Sequence, residues 1–147
     1  MTFLKRHLDG STQNTYYKRY RQLVITHAAR PVLKAMEHEL GKNPSWAFCS
    51  DQRQEYVRVR YLACYLLKKH TDMSLRQIAS IISGGVDLFD HSTVSHGIVA
   101  IQNKIAIIGN NGNSRPVCKE TYNLIERINH EIKNDYKLPQ SLINNQS

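Results

Sequence analysis

The sequence lacks most of what would mark an enzyme, a membrane protein or a secreted one. It contains no G-x-x-x-x-G-K-[ST] phosphate loop and no G-x-G-x-x-G turn, so nothing in it marks nucleotide binding. Its three cysteines, Cys49, Cys64 and Cys118, are an odd number at wide spacing with no C-x-x-C pair. That excludes a zinc ribbon or a dithiol redox centre and fits a reducing cytoplasm. No apolar run reaches the roughly 18 residues that a membrane span needs, and the first residues lack the apolar stretch of a secretory signal. Strand signals and internal repeats are missing too. With 22% charged residues the chain is not a disordered tail, and 41% hydrophobic residues over 147 positions supply the core of one domain.

What is there is positive charge in one half. The chain has 20 Lys and Arg against 12 Asp and Glu, a net +8. Residues 1–70 hold 13 basic and 5 acidic side chains, whereas residues 71–147 hold 7 of each. A localised positive field attracts polyanions, nucleic acid first and an acidic membrane surface next; solubility is the plainer use of such charge.

Periodicity makes the fold class all-α. From Tyr16 the positions Tyr16, Tyr20, Leu23 and Val24 recur every three or four residues, one face of a helix. Pro31 predicts a kink or a new helix carrying Val32, Leu33, Met36 and Leu40, ended by Gly41. After a turn, Ser45 to Cys49 reads as a short helical piece whose aromatics plug the core. A long amphipathic helix follows over about 52–69 with Tyr56, Val59, Leu62, Ala63, Leu66 and Leu67 on one face. Ser74, with Gln77 three residues on, forms a capping box opening a short helix through Ile78, Ala79, Ile81 and Ile82. Residues 83–89 are the turn. Asp90 caps another helix, bearing Val94, Ile98, Ile101 and Ile105, and residues 109–114 form a flexible break. A final helix runs from about Val117 to Tyr136. The expected organisation is a basic aromatic extension (1–30), a core domain (31–108), a helix packed on it (115–136) and a polar tail (137–147).

Two short helices separated by a glycine-containing turn, the second opening on Asp90-His91-Ser92-Thr93, describe a helix-turn-helix. In the DNA-binding form the second helix enters the major groove with its first turn at the base edges. There an Asp accepts from a cytosine amino group, a hydroxyl bonds either edge, and His or Thr carbons meet a thymine methyl. Asp90 also serves as the cap, and both roles can coexist.

The residues 57–67, Ser74-Leu75-Arg76-Gln77-Ile78-Ala79 and Asp90-His91-Ser92-Thr93-Val94-Ser95-His96 resemble the C-terminal duplex-DNA-binding domain of the bacterial replication initiator DnaA. The resemblance covers roughly residues 31–108 and implies a helix-turn-helix of the DnaA C-terminal, Trp-repressor-like type. It implies base reading by Asp90, His91 and Ser92, joined by Thr93, and backbone contacts by Arg60, Lys68, Leu75 and Thr93. Arg53, Arg58, Tyr61 and Arg76 complete the expected DNA-facing set. Two departures stand out. Gln52, followed by Arg53, occupies the place where the family inserts an arginine into the minor groove. Residues 86–89 lengthen the turn, bringing Asp87 and losing a basic residue. The initiator's ATPase module has no counterpart in these 147 residues.

The resulting expectation is a sequence-specific binder of double-stranded DNA in replication control or transcription regulation. It would be cytoplasmic and nucleoid-associated, without catalytic activity, cofactor, nucleotide or membrane partner. The alternative is an interaction module that keeps the fold, has lost DNA readout, and docks on another replication protein. For Tyr16, Tyr17 and Tyr20, set among Lys18, Arg19 and Arg21, two uses are open: a stacking or phosphate-gripping arm, or tyrosines covering the core beneath solvated cations. Lys68, Lys69 and His70 either complement the helix dipole or, for Lys68, hold phosphate. His91 and His96 are five residues apart, miss the i, i+4 spacing of a helical metal pair, and have no third ligand nearby, so no metal is expected.

Overall fold

A computed structural model describes the backbone of residues 13–84, 87–110 and 112–146, and the side chains of 27–84, 87–110 and 112–134. The order of elements is α1 (Gln13–Leu40), a 3-10 turn (Pro44–Ala47), α2 (Gln54–His70), α3 (Leu75–Ile82), α4 (His91–Ile105), β1 (Ile107–Ile108), β2 (Arg115–Pro116) and α5 (Lys119–Gln146). The side chains of Tyr16, Tyr17, Tyr20 and Val86, and those of the tail, lie outside the described residues.

Helix α2 is the centre of the packing, touching α1, α3, α4 and the 3-10 turn. Its buried side chains Leu62, Ala63, Cys64, Leu66 and Leu67 follow the three-and-four spacing of its apolar stripe. Against them lie Ile78 and Ile82 of α3 and Val94 and Ile101 of α4. Burial pushes the Cys64 thiol up to about 12, so it behaves as a small apolar side chain. On the other side Ala29, Val32, Ala35 and Met36 of α1 and Ile125, Ile128 and Ile132 of α5 extend the same core.

Three local expectations differ in the structure. Helix α1 continues through Pro31, so no new helix starts there. Buried Ala29 on one side of the proline and Val32, Ala35 and Met36 on the other seat both halves on one core, which outweighs the missing N–H. Where no strand was expected, Ile107 pairs antiparallel with Pro116 and Ile108 with Arg115. Two residues per strand are too few to print a period of two in the sequence. The last helix passes Tyr136 and Pro139 and extends to Gln146.

The helix-turn-helix is set by local chemistry. Ser74 Oγ accepts from the Gln77 N–H at 3.2 Å and the Ser74 N–H donates to Gln77 Oε1 at 2.9 Å, closing the capping box of α3. The turn leaves α3 through Gly84 at φ +68, where a Cβ would stand 2.8 Å from the Phe48 carbonyl oxygen. Only glycine meets both demands. Further along, Gly97 lets α4 close on α2, since a Cβ there would lie 2.7 Å from Cδ1 of Tyr61.

Candidate nucleic-acid interface

The first turn of α4 is held by its own cap. Asp90 is extended at φ −107 and ψ −177, and its Oδ1 accepts the Thr93 N–H at 3.1 Å, with the Thr93 hydroxyl 3.4 Å away. The Thr93 N–H foremost, then the Ser92 N–H and the nearby His91, hold the carboxyl below the usual aspartate range. Asp90, His91 and Ser92 are exposed and Thr93 is half-buried. An open cleft of about 580 Å³ runs between α3 and this turn, bringing Arg76 together with Asp87, Asp90, His91 and Thr93. It joins one cation to a lining otherwise largely acidic and polar at the expected reading turn.

The other expected contacts spread along α2 and the start of α3. Arg58 and Lys68 are exposed on α2, with Lys69 beside Lys68 in the last turn, where cations complement the helix dipole. Leu75 is the first residue of α3, partly packed against the core. Tyr61 is wedged between α2 and α4, its ring edge-on to His96 with centroids 5.7 Å apart.

Arg53, one residue after Gln52, is held in place before α2. Its Nε and Nη2 donate to both Asp51 oxygens at 2.9 to 3.2 Å, and Nη2 also donates to the Tyr56 hydroxyl at 2.8 Å. The Arg53 side chain keeps Asp51 below the ordinary carboxylate range, and Asp51 in turn raises Arg53. Asp51 therefore neutralises the cation that stands nearest the expected minor-groove position.

Arg60 corrects an expectation. The resemblance implies a phosphate contact there, yet the side chain is only 3% exposed and points inward. Nη1 donates to the carbonyls of Ala47 and Cys49, both at 2.9 Å, and Nη2 donates to that of Asp51 at 2.7 Å. Its guanidinium carbon lies 5.0 Å from the ring centre of Phe89. Burying a cation is costly unless its donors find partners, and these three carbonyls supply partners for both terminal nitrogens. Phe89, in the lengthened turn, and Asp51 were not singled out from the sequence; the only hint was an acid two residues before Arg53.

Residues 32–101 match the family model of the bacterial dnaA protein helix-turn-helix. This segment is similar to the DnaA helix-turn-helix domain. No curated protein and no solved structure matches the chain. Similarity to a DnaA helix-turn-helix points to DNA binding. Most of α1 and all of α5 lie outside it, and α5 packs on α1 through contacts that include His38 and Glu39, inside the matched segment. Among the described residues, no helix is long and apolar enough to cross a membrane.

Among the described residues, one group of side chains could hold a metal ion, His38, Glu39 and Glu131, whose ligand atoms lie within 4.8 Å of one another. It joins α1 to α5 as ion pairs: His38 Nδ1 bonds Glu131, and Arg127 Nε donates to Glu39 Oε2 at 3.0 Å. The Arg127 guanidinium already neutralises one of the two carboxylates.

Proposed function

We propose that the protein is a sequence-specific double-stranded DNA-binding protein acting in replication control or transcription regulation, with α4 entering the major groove. The observation that carries this reading is the exposed first turn of α4, fixed by the Asp90 cap within a segment similar to the DnaA helix-turn-helix. One Asp90 oxygen serves the cap, which leaves the other to accept from a cytosine amino group. His91 and Ser92 offer a ring and a hydroxyl to neighbouring edges, and Thr93 meets a base or a phosphate. Arg53, Arg58, Lys68 and Arg76 supply sequence-blind contacts to the backbone, flanked by Tyr61 and Leu75. The family supports replication as the setting.

The test is selection from random duplexes followed by mobility shifts at two salt concentrations. An enriched motif with salt-dependent retention supports the reading, and neither appearing would sink it. Two substitutions sort the contacts. His91→Ala should relax preference at its base pair by about tenfold, the worth of one base contact. Lys68→Ala should weaken binding to every sequence and reduce the salt slope by about one. Identical behaviour of the two would show that the sorting is wrong.

One observation favours a second reading, an interaction module docking on another replication protein. The reading end carries Asp87 as well as Asp90, and Asp51 neutralises Arg53. Failure to retain any duplex, together with a folded protein, would leave this reading standing.

A further inference from the structure

The segment entering α2 and the turn entering α4 meet over one side chain. Arg60 bonds three carbonyls between Ala47 and Asp51, so it fixes the main chain immediately before the Asp51–Arg53 pair. The other face of its contacts is Phe89, the residue next to Asp90. Phe89 is itself anchored, since its N–H donates to Ser83 Oγ at 3.1 Å and that hydroxyl donates to the Ala79 carbonyl at 2.6 Å. The same two segments also touch where Gly84 comes up against the Phe48 carbonyl. A planar guanidinium with donors diverging in a fixed fork can hold three carbonyls and stack on a ring at once, which an ammonium cannot do.

We propose that Arg60 is a positioning residue for DNA readout that fixes the separation and tilt between the Arg53 end of α2 and the Asp90 end of α4. This rests on the DNA-binding reading above. A duplex presents its grooves at a set spacing, so two grip points read sequence together only when their separation is fixed. Loosening it leaves each surface cation able to find a phosphate while the base-reading turn loses its register. Phe89 belongs to the lengthened turn, so its ring provides the hold on the recognition helix that the extra residues would otherwise weaken.

The experiment uses the full chain and measures affinity for its selected duplex and for a scrambled duplex across a salt series, with Arg60→Lys and Phe89→Leu. Both variants are expected to lower the selected-to-scrambled ratio by about tenfold, the loss of roughly one base contact, while scrambled affinity and salt slope stay as in the wild type. A merely structural defect would lower both affinities together through the folded fraction. An Arg60 that contacts phosphate would instead leave the ratio intact in Arg60→Lys, and Arg60→Gln would flatten the slope by about 0.9. That result, or an unchanged ratio in Phe89→Leu, overturns the proposal. Where Arg60→Lys fails to fold by circular dichroism, Phe89→Leu decides, because it leaves every carbonyl contact in place. A wild-type protein that retains no duplex refutes the DNA reading itself, and the positioning role falls with it.

Discussion

The proposed reading gives Asp90 a second duty beside its cap, and one substitution can separate the two. Its Oδ1 caps α4, and Asn caps a helix about as well as Asp. Asp90→Asn should therefore keep the melting temperature close to that of the wild type. In place of a second acceptor it offers an amide N–H, which suits adenine rather than the amino group of cytosine. Repeating the duplex selection with this variant should move the preference at one base pair by about tenfold. An unchanged motif would reduce Asp90 to a cap. The carboxylate's contribution is present above its unfolded value of 3.8 and fades as the pH falls through the lower folded value, so this comparison belongs at neutral pH. Both caps were legible in the sequence because Asp90 with Thr93, and Ser74 with Gln77, are partners three residues apart. Arg60 was not. Its partners are carbonyls 9 to 13 residues upstream, and a main-chain acceptor leaves no residue type to read.

At the scale of elements, amphipathic spacing located α2, α3 and α4, whose buried faces repeat every three or four residues. It did not show that α1 would pass through Pro31, because the residues that hold the helix on both sides of the proline act through tertiary packing. Nor could it show how α1 and α5 are joined. Two of the contacts joining them, His38 with Glu131 and Glu39 with Arg127, lie 93 and 88 residues apart in sequence. The hydrogen bond that His38 donates to Glu131, and then the charge of that carboxylate, raise the His38 pKa above 6.5. A raised histidine contributes stability that is fully present below about pH 6.5 and is lost as the pH rises through the folded value. His38→Asn should therefore melt below the wild type near pH 5.5, and the gap should close near pH 8.5. Glu39, held below the ordinary carboxylate range by the Arg127 guanidinium bonded to it, stays ionised across that window. A gap of the same size at both pH values would mean that the His38 charge plays no part in joining the helices.

Over the whole molecule, most of the net charge lies apart from the turn proposed to read bases. Residues 32–101, the segment similar to the DnaA helix-turn-helix, hold 8 basic and 7 acidic side chains, so the segment is close to neutral. Residues 1–31 hold six Lys and Arg against one Asp. On the proposed reading, this N-terminal charge adds a sequence-blind attraction to phosphate to that of the exposed cations on α2 and α3, while discrimination falls to the Asp90 end of α4. Counterion release gives each neutralised phosphate about 0.9 in the slope of log affinity against log salt. Replacing Lys18, Arg19 and Arg21 together by Ala should lower affinity for selected and scrambled duplexes by the same factor. It should also flatten the slope by up to about 2.7 when all three meet phosphate. The selected-to-scrambled ratio should not move, because phosphate contacts carry no base information. A fall in that ratio would assign these residues to base reading, and an unchanged slope would mean that the excess charge keeps the chain soluble and does not grip DNA.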